Sequence, residues 1–175
     1  MSVIETKRLR LRPMVHGDLE ALHMIFSDPQ VMRYWSTLPH GEVAQTLAFM
    51  DEVMGADPAT SAEFVIEHKG RVIGRAGFWR MPEIGYLLHR NVWGQGFGAE
   101  AVGALLSHGF RQFGLDEDVA DVDPDNTASL RLLGRLGFVE TGSAKNTLQI
   151  GEKWFDSVYL RLTCARWETG TKKFG

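Results

Sequence analysis

Residues 93–100 read Trp93-Gly94-Gln95-Gly96-Phe97-Gly98-Ala99-Glu100. Three glycines at alternate positions let the backbone turn sharply and approach a ligand closely. Apolar residues then recur at spacings of three and four, which predicts an amphipathic helix over 94–113. Because a helix start presents unpaired N–H groups and a positive dipole end, the stretch predicts a binding site for phosphate or pyrophosphate. A strand-to-helix turn that binds no ligand is the alternative.

Two known phosphate motifs can be compared with this turn. The sequence contains no G-x-x-x-x-G-K-[ST], which excludes a P-loop. Gly94, Gly96 and Ala99 fit the dinucleotide pattern G-x-G-x-x-A, and Asp121 stands where a ribose-binding acid is expected. However, five residues separate the preceding strand from Gly94, and only 52 residues follow Asp123, which is short for a dinucleotide-binding protein. A dinucleotide-binding oxidoreductase is therefore the less favoured alternative.

Composition limits the function classes. The 175 residues are 44% hydrophobic and 23% charged, which predicts one globular domain over 1–175. A formal net charge of -3 argues against a nucleic-acid partner, since neutralising phosphates needs a basic surface. The single cysteine, Cys164, indicates a reducing compartment, so we expect a cytoplasmic protein. The sequence has neither a membrane-length apolar run nor a paired His/Cys pattern, so we expect no membrane association and no metal.

The rest of the chain mixes hairpins with crossovers. Helices are predicted at 18–27, 42–54 and 127–136, in addition to 94–113. Strands are predicted at 6–13, 63–69, 71–79, 84–88, 119–122 and 154–163, and another begins at 138. This order predicts an α/β or α+β fold with a mixed sheet.

The glycine-rich turn resembles the acetyl-CoA loop of the GCN5-related N-acetyltransferases. That family's pattern, Q/R-x-x-G-x-G/A, falls on Trp93, Gly96 and Gly98, and Trp93 departs from it. Stretches 5–13, 28–34, 83–87, 126–138 and 154–159 resemble, in order, the branch that contains the ribosomal-protein serine/alanine N-terminal acetyltransferases. The resemblance implies a mixed, mostly antiparallel twisted sheet of six to seven strands with about four helices. It also implies two parallel central strands that splay.

The resemblance further implies that acetyl-CoA is the cosubstrate and that its acetyl group passes directly to a primary amine in a ternary complex. Backbone N–H groups of the turn would hold the pyrophosphate, and the backbone of the central strand would pair with the pantetheine. A helix start would lie beside the thiol, although its asparagine could simply cap the helix. The implied residues are Gly94, Gln95, Gly96, Phe97, Gly98 and Ala99 in the turn, Tyr86, Leu87 and Leu88 in the strand, and Asn126 and Ser129 in the helix.

Acetyl transfer needs a neutral amine and a donor for the tetrahedral oxyanion. Glu83, at the start of the central strand, is the candidate base, and a solvated turn carboxylate is an equally supported interpretation. Glu100 is a weaker candidate. The N–H groups of Leu87 or Leu88 are candidate oxyanion donors.

The route for the leaving thiolate departs from the family. Many relatives carry a tyrosine four residues before the glycine of L-G-F, and this chain has Leu133 there. Ser129 or Tyr159 would then have to supply the proton or hydrogen bond.

The acceptor is the least defined part of the sequence. Tyr34 and Trp35, in the connection between the first two helices, are candidate pocket residues, and packing onto the sheet is the alternative. We expect either a protein N-terminus or a small-molecule amine as partner, and a homodimer is an open expectation. A relative that binds acyl-CoA with weak or no catalysis remains an alternative.

Overall fold

An eight-stranded sheet runs through the centre of the computed structural model, which describes residues 2–171. Its strands are β1 (Ile4–Glu5), β2 (Arg10–Pro13), β3 (Ala62–His68), β4 (Arg71–Arg80), β5 (Glu83–Leu88), β6 (Glu117–Val122), β7 (Val139–Ile150) and β8 (Lys153–Thr163). They lie in the order β1-β2-β3-β4-β5-β6-β8-β7. Every neighbouring pair is antiparallel except β5 and β6.

Helices cover both faces of this sheet. They are α1 (Leu19–Phe26), α2 (Val43–Gly55), α3 (Phe97–His108), α4 (Thr127–Leu136) and α5 (Cys164–Thr171), and a π-helical turn over Gly109–Phe113 follows α3. The α1/α2 pair packs on one face, while α3 and α4 pack on the other. Within residues 2–171, no helix combines the length and apolar character needed to cross a membrane.

The strand sequences follow from this two-sided burial. Consecutive strand residues point to opposite faces, so a strand covered on both sides has apolar residues in sequence. In β3, Phe64 and Ile66 join the core under α3 and α4, whereas Val65 joins the core under α1 and α2.

The predicted mixed, mostly antiparallel sheet is confirmed, with differences in detail. The described chain has eight strands and five helices rather than six to seven and about four. The strand predicted at 6–13 is confined to Arg10–Pro13, because Thr6 donates its backbone N–H to the Leu9 carbonyl at 2.9 Å and closes a turn. The two-residue β1 and the polar α5 are too short or too weakly patterned to be recognised from sequence.

A carboxyl group is buried without a partner in the core beneath α3 and α4. Asp118 is fully buried on β6, on the same strand face as Ala120 and Val122. Neither oxygen of its carboxyl group has a hydrogen-bond partner among residues 2–171. Burial disfavours the ionised form and raises the pKa of Asp118 to about 8.

This burial predicts a pH-dependent stability. Below the unfolded-state pKa, near 3.8, the folded and unfolded chains both carry a protonated Asp118. Between that value and about 8 the unfolded chain releases this proton and the folded chain holds it, so the free energy of unfolding falls as pH rises. Asp118→Asn should therefore be less sensitive to pH than the wild type, and more stable than it at pH 8–9, in urea denaturation.

Asp116→Asn, at an exposed position two residues earlier, is the control and should keep the wild-type slope. An equal slope in Asp118→Asn and the wild type would show that Asp118 ionises normally in the fold.

Candidate active site

Strands β5 and β6 meet at a single position. Glu83 lies opposite Val119, whose N–H donates to the Pro82 carbonyl at 3.1 Å, and the strands pair nowhere else along the described sheet. The two strands therefore diverge toward the end of β5. This is the splay that the family resemblance implied, and it leaves one edge of β5 facing a gap.

The register decides which backbone groups face this gap. His89 donates its N–H to Ile73 at 2.8 Å, on the β4 side. Antiparallel partners exchange hydrogen bonds at alternate residues, so Leu87 also directs its N–H toward β4. Tyr86 and Leu88 direct their backbone groups toward the gap. Of the two N–H groups predicted as oxyanion donors, that of Leu88 faces the gap and that of Leu87 does not.

Trp93, which departs from the family pattern, has a defined contact here. Its indole N–H donates to the carbonyl oxygen of Leu88 at 2.8 Å. The carbonyl of Leu88 is thus occupied by the side chain that follows the strand. The Leu88 N–H and both backbone groups of Tyr86 remain to face a ligand in the gap.

The glycine-rich turn leads from β5 into α3. Gly94 has φ of 72°, and Gly96, the residue that precedes α3, has φ of 80°. A positive φ favours glycine, because the β-carbon of any other residue would crowd the backbone in this left-handed conformation. Gly96 has no side chain to cap the first N–H groups of α3, so these groups remain available to an anion. The turn thus has the backbone geometry that the sequence predicted.

Sequence reasoning missed a cluster of contacts, here called the brace, in which Thr6 and Arg8 bind Glu100 and support the glycine-rich turn. Arg8 pairs with Glu100 at 2.6 Å, donates to the Gln95 carbonyl at 2.9 Å and lies 4.4 Å from the centre of the Phe97 ring. Thr6 donates to the same carboxylate at 2.6 Å. The partners are 87 to 94 residues apart, so no local pattern in the sequence reveals these contacts.

The brace also removes Glu100 from the catalytic candidates. Partial burial acts to raise the pKa of Glu100, but hydrogen bonds from Thr6 and Arg8 outweigh it and hold the pKa below its usual value. A carboxylate so engaged is a poor base.

A cavity of about 750 Å³ opens on the α1/α2 face, beside the junction of β5 and β6. Both predicted pocket residues, Tyr34 and Trp35, line it. The other aromatic lining residues are Phe26, Phe49, Trp79 and Phe155. Phe49 and Trp79 stack with ring centroids 6.3 Å apart.

A buried ion pair supports these aromatic walls. Arg75 and Glu63 form a salt bridge and are both almost completely buried. The Arg75 guanidinium lies 5.0 Å from the Trp35 ring centroid and 5.7 Å from that of Phe49. Because Glu63 balances its charge, Arg75 supports the aromatic side chains and adds no net charge to the cavity.

Carboxylates dominate the remaining charge of the cavity. In the described part of the chain, five of them line it, from four different elements and one loop: Glu52, Glu83, Asp121, Asp123 and Asp156. Arg33 is the other cation among the lining residues. The cavity therefore combines negative charge with aromatic faces, which together favour a cationic ligand.

Glu83, the candidate base, lies on this face at the junction of the strands. Partial desolvation and the nearby charge of Asp121 raise the pKa of Glu83, and Arg80 opposes them. A carboxyl group with a raised pKa is better matched to proton transfer near neutral pH. Asp121, which the dinucleotide alternative assigned to a ribose, instead lines the cavity beside Glu83.

Ser129 lies on the opposite face, at the start of α4. Its backbone N–H donates to the side-chain oxygen of Asn126 at 3.1 Å, so Asn126 caps the helix as the capping alternative predicted. Its hydroxyl lies 2.6 Å from the hydroxyl of Tyr86. Leu133 is fully buried in the core beneath the helices.

Tyr159 does not join Ser129. It lies opposite Asp121 in the β6–β8 ladder, and directly opposed residues share a face, so Tyr159 is on the cavity face. It is 37% exposed and is not among the residues that line the cavity. The two candidate acids are thus separated by the sheet.

Two further expectations can be compared with the described residues. Across 2–171, no three His, Cys, Asp or Glu side chains are grouped as a metal site would require. A dinucleotide fold needs several parallel strands, whereas parallel pairing in this part of the chain is confined to β5 and β6. The dinucleotide alternative was wrong.

Comparisons with known proteins agree with this geometry. The model of the acetyltransferase (GNAT) domain matches residues 8–139. A protein of Bacillus licheniformis named uncharacterized N-acetyltransferase p20 is 34% identical over 151 residues, 81% of this chain and 85% of its own. The [ribosomal protein uS5]-alanine N-acetyltransferase of Escherichia coli is 34% identical over 87 residues, 50% of this chain and 45% of its own.

Solved structures share the fold. A GNAT-family acetyltransferase from Bacillus anthracis superposes with a TM-score of 0.83 at 27% identity, over 93% of this chain and 98% of its own. The spermidine N-acetyltransferase of Vibrio cholerae, solved with CoA and spermine, gives 0.82 at 20% identity, over 93% and 99%.

The match to the family model extends over most of the chain, and it includes the glycine-rich turn and the separated strands. The protein is an acyltransferase and belongs to the GNAT family of N-acetyltransferases.

Proposed function

We propose that this protein transfers the acetyl group of acetyl-CoA directly to a primary amine that carries a further positive charge. One observation carries the proposal: the gap between β5 and β6 lies between the glycine-rich turn on one face and the acidic, aromatic cavity on the other. Acetyl-CoA would enter from the turn, with its pantetheine along Tyr86 and Leu88. The acceptor would enter from the cavity.

The chemistry follows from this arrangement. A neutral amine attacks the thioester carbonyl and forms a C–N bond, and the carbonyl electrons move to oxygen. The N–H of Tyr86, which faces the gap nearer to the strand junction than that of Leu88 does, donates to that oxyanion. The amine proton passes to Glu83, directly or through one water. Collapse of the intermediate breaks the C–S bond and leaves the electron pair on sulfur, so CoA departs as a thiolate or thiol.

The second positive charge of the acceptor is argued from the spacing of the carboxylates. Glu83 and Asp121 stand at the strand junction, where the reacting nitrogen would lie. Tyr159 on β8 pairs with Asp121, and Asp156 lies three residues from Tyr159 along the same strand. At ~3.3 Å per residue, Asp156 is therefore roughly 10 Å from Asp121 along the sheet. A second ammonium group would bind there, with the alkyl chain against the aromatic walls.

The relatives are consistent with small amines and with proteins as acceptors, since one is named for spermidine and another for a ribosomal protein. A protein N-terminus brings one reacting amine and no obligatory second cation. The distribution of carboxylates in this cavity therefore favours a diamine or polyamine.

The cosubstrate site can be tested at Gly96. Acetyl-CoA should raise the melting temperature of the wild type by mass action, whereas NADH and ATP should not. Gly96→Ala should weaken acetyl-CoA binding at least tenfold in calorimetry. Its β-carbon would strain a left-handed residue, lie 3.3 Å from Arg8 Nη2 and obstruct the approach of a phosphate.

Gly114→Ala provides a matched control, because Gly114 has a similar φ of 64° and open space around it beyond the other end of α3. It should lose similar stability and keep acetyl-CoA affinity. Equal affinities in both variants would place the anion site elsewhere.

The base can be tested at Glu83. Glu83→Gln should lower the rate of acetyl transfer at neutral pH by about 10²–10⁴-fold with little change in acetyl-CoA affinity. The loss should shrink as pH rises toward the pKa of the free amine, because the acceptor then loses its proton without help. Glu140→Gln, on exposed β7, is the control. Wild-type rates in Glu83→Gln at every pH would remove Glu83 from the mechanism.

The acceptor class can be tested with two matched amines. 1,5-Diaminopentane and pentylamine differ only in the second ammonium group, and the diamine should have a kcat/KM about tenfold higher or more, as expected for a partly desolvated charge contact. Asp156→Asn should reduce this preference and leave pentylamine turnover unchanged. The amide oxygen can still accept the Asn146 N–H that Asp156 binds at 2.9 Å.

Equal kcat/KM for both amines would contradict a second cation site. A preference for a peptide with an alanine or serine N-terminus over the diamine would instead favour a protein acceptor.

A further inference from the structure

We propose that Tyr86 is a positioning residue that orients the Ser129 hydroxyl to donate a hydrogen bond to the thioester sulfur as CoA leaves. The inference rests on the proposed acetyl transfer. It concerns the departure of the thiolate. Many relatives carry a tyrosine for this step, whereas this chain has Leu133 at that position, fully buried in the core.

The two hydroxyls come from different elements and meet beside the gap. Tyr86 lies on β5, and its side chain packs with Ile84 and Leu88 toward α3 and α4. Its hydroxyl oxygen is 2.6 Å from Ser129 Oγ on α4. Because the backbone of Tyr86 faces the gap in which the pantetheine would lie, the hydroxyl pair stands next to the end of the cosubstrate.

The hydrogen-bond inventory gives the pair a direction. A serine hydroxyl offers one donor and two acceptor lone pairs, and a phenol offers one donor. If Tyr86 donates to Ser129, the single hydrogen of Ser129 is free to point at the sulfur. The start of Ser129's helix is held by the Asn126 cap, so the backbone beneath the hydroxyl is fixed.

The acid strengths limit what the pair can do. Burial raises the pKa of Tyr86 to about 12, and the hydrogen bond with Ser129 partly opposes this rise. A thiol has an ordinary pKa near ~8.5, so moving a proton from the phenol to the thiolate is unfavourable. The thiolate therefore leaves with its electron pair and takes a proton from solvent later. The pair stabilises the developing negative charge on sulfur through hydrogen bonds, and no proton is transferred along it.

Because Tyr86 acts only through Ser129, the two substitutions should not add. We expect single-turnover acetyl transfer to fall about tenfold in Ser129→Ala and about three- to fivefold in Tyr86→Phe. The double variant should be no slower than Ser129→Ala alone. Single-turnover rates are the measurement of choice, because product release can limit kcat.

Other readouts separate this role from a structural one. All three variants should keep the wild-type affinity for acetyl-CoA and should unfold cooperatively. Ser129→Thr retains a hydroxyl and should restore most of the rate, but only while Tyr86 is present. Ser107→Ala, near the end of α3, is the control for a helical serine far from the gap.

Several results would overturn the proposal. Losses that multiply in the double variant would mean that the phenol acts on the substrate independently of Ser129. A wild-type rate in Tyr86→Phe, or a change confined to acetyl-CoA affinity, would leave the phenol without a role in the leaving step. A wild type that transfers no acetyl group would refute the proposed function itself, an outcome distinct from an active wild type with unaffected variants.

Discussion

The junction of β5 and β6 is the constraint on which the rest of the site depends. One parallel pair, Glu83 opposite Val119, holds the strands together, and beyond it they diverge. A continuous ladder would bond the backbone of β5 to its neighbour and seal one face of the sheet from the other. The divergence instead leaves polar backbone groups of Tyr86 and Leu88 without a strand partner there. Buried backbone groups require hydrogen bonds, so this edge is suited to an extended ligand.

The alternation of side chains along β5 then places the residues of the two proposed roles on opposite faces of the sheet. Glu83 and Gly85 line the cavity on one face, and the side chain of Tyr86 points toward α4 on the other. The proposed base and the proposed positioning residue are therefore close in sequence, although their side chains lie on opposite faces of the sheet. On the cavity side, partial desolvation and the nearby charge of Asp121 raise the pKa of Glu83, whereas on the other side burial raises the pKa of Tyr86 and keeps its hydroxyl protonated. One short strand thus supplies two chemically different environments.

Much of the fold could be predicted because its signals are local. The glycines before α3, the cap at Asn126 and the apolar periods each specify a nearby backbone conformation. The missing parts depend on contacts distant in sequence. No local pattern indicates that Tyr86 meets Ser129, and none indicates that Asp118 is buried without a partner. The acidic character of the cavity also escaped prediction, because its carboxylates come from separate elements that only the folded chain brings together.

The brace of Arg8, Thr6 and Glu100 has a consequence for how the site comes into being. It joins the opening of the chain to the first turn of α3 across more than ninety residues. Contacts of such sequence separation slow folding, because closing the loop between them costs entropy. During synthesis, the first residues of the chain cannot form these contacts until α3 has been made. An isolated strand–turn–helix fragment would accordingly keep the glycine pattern and lack the support that fixes it.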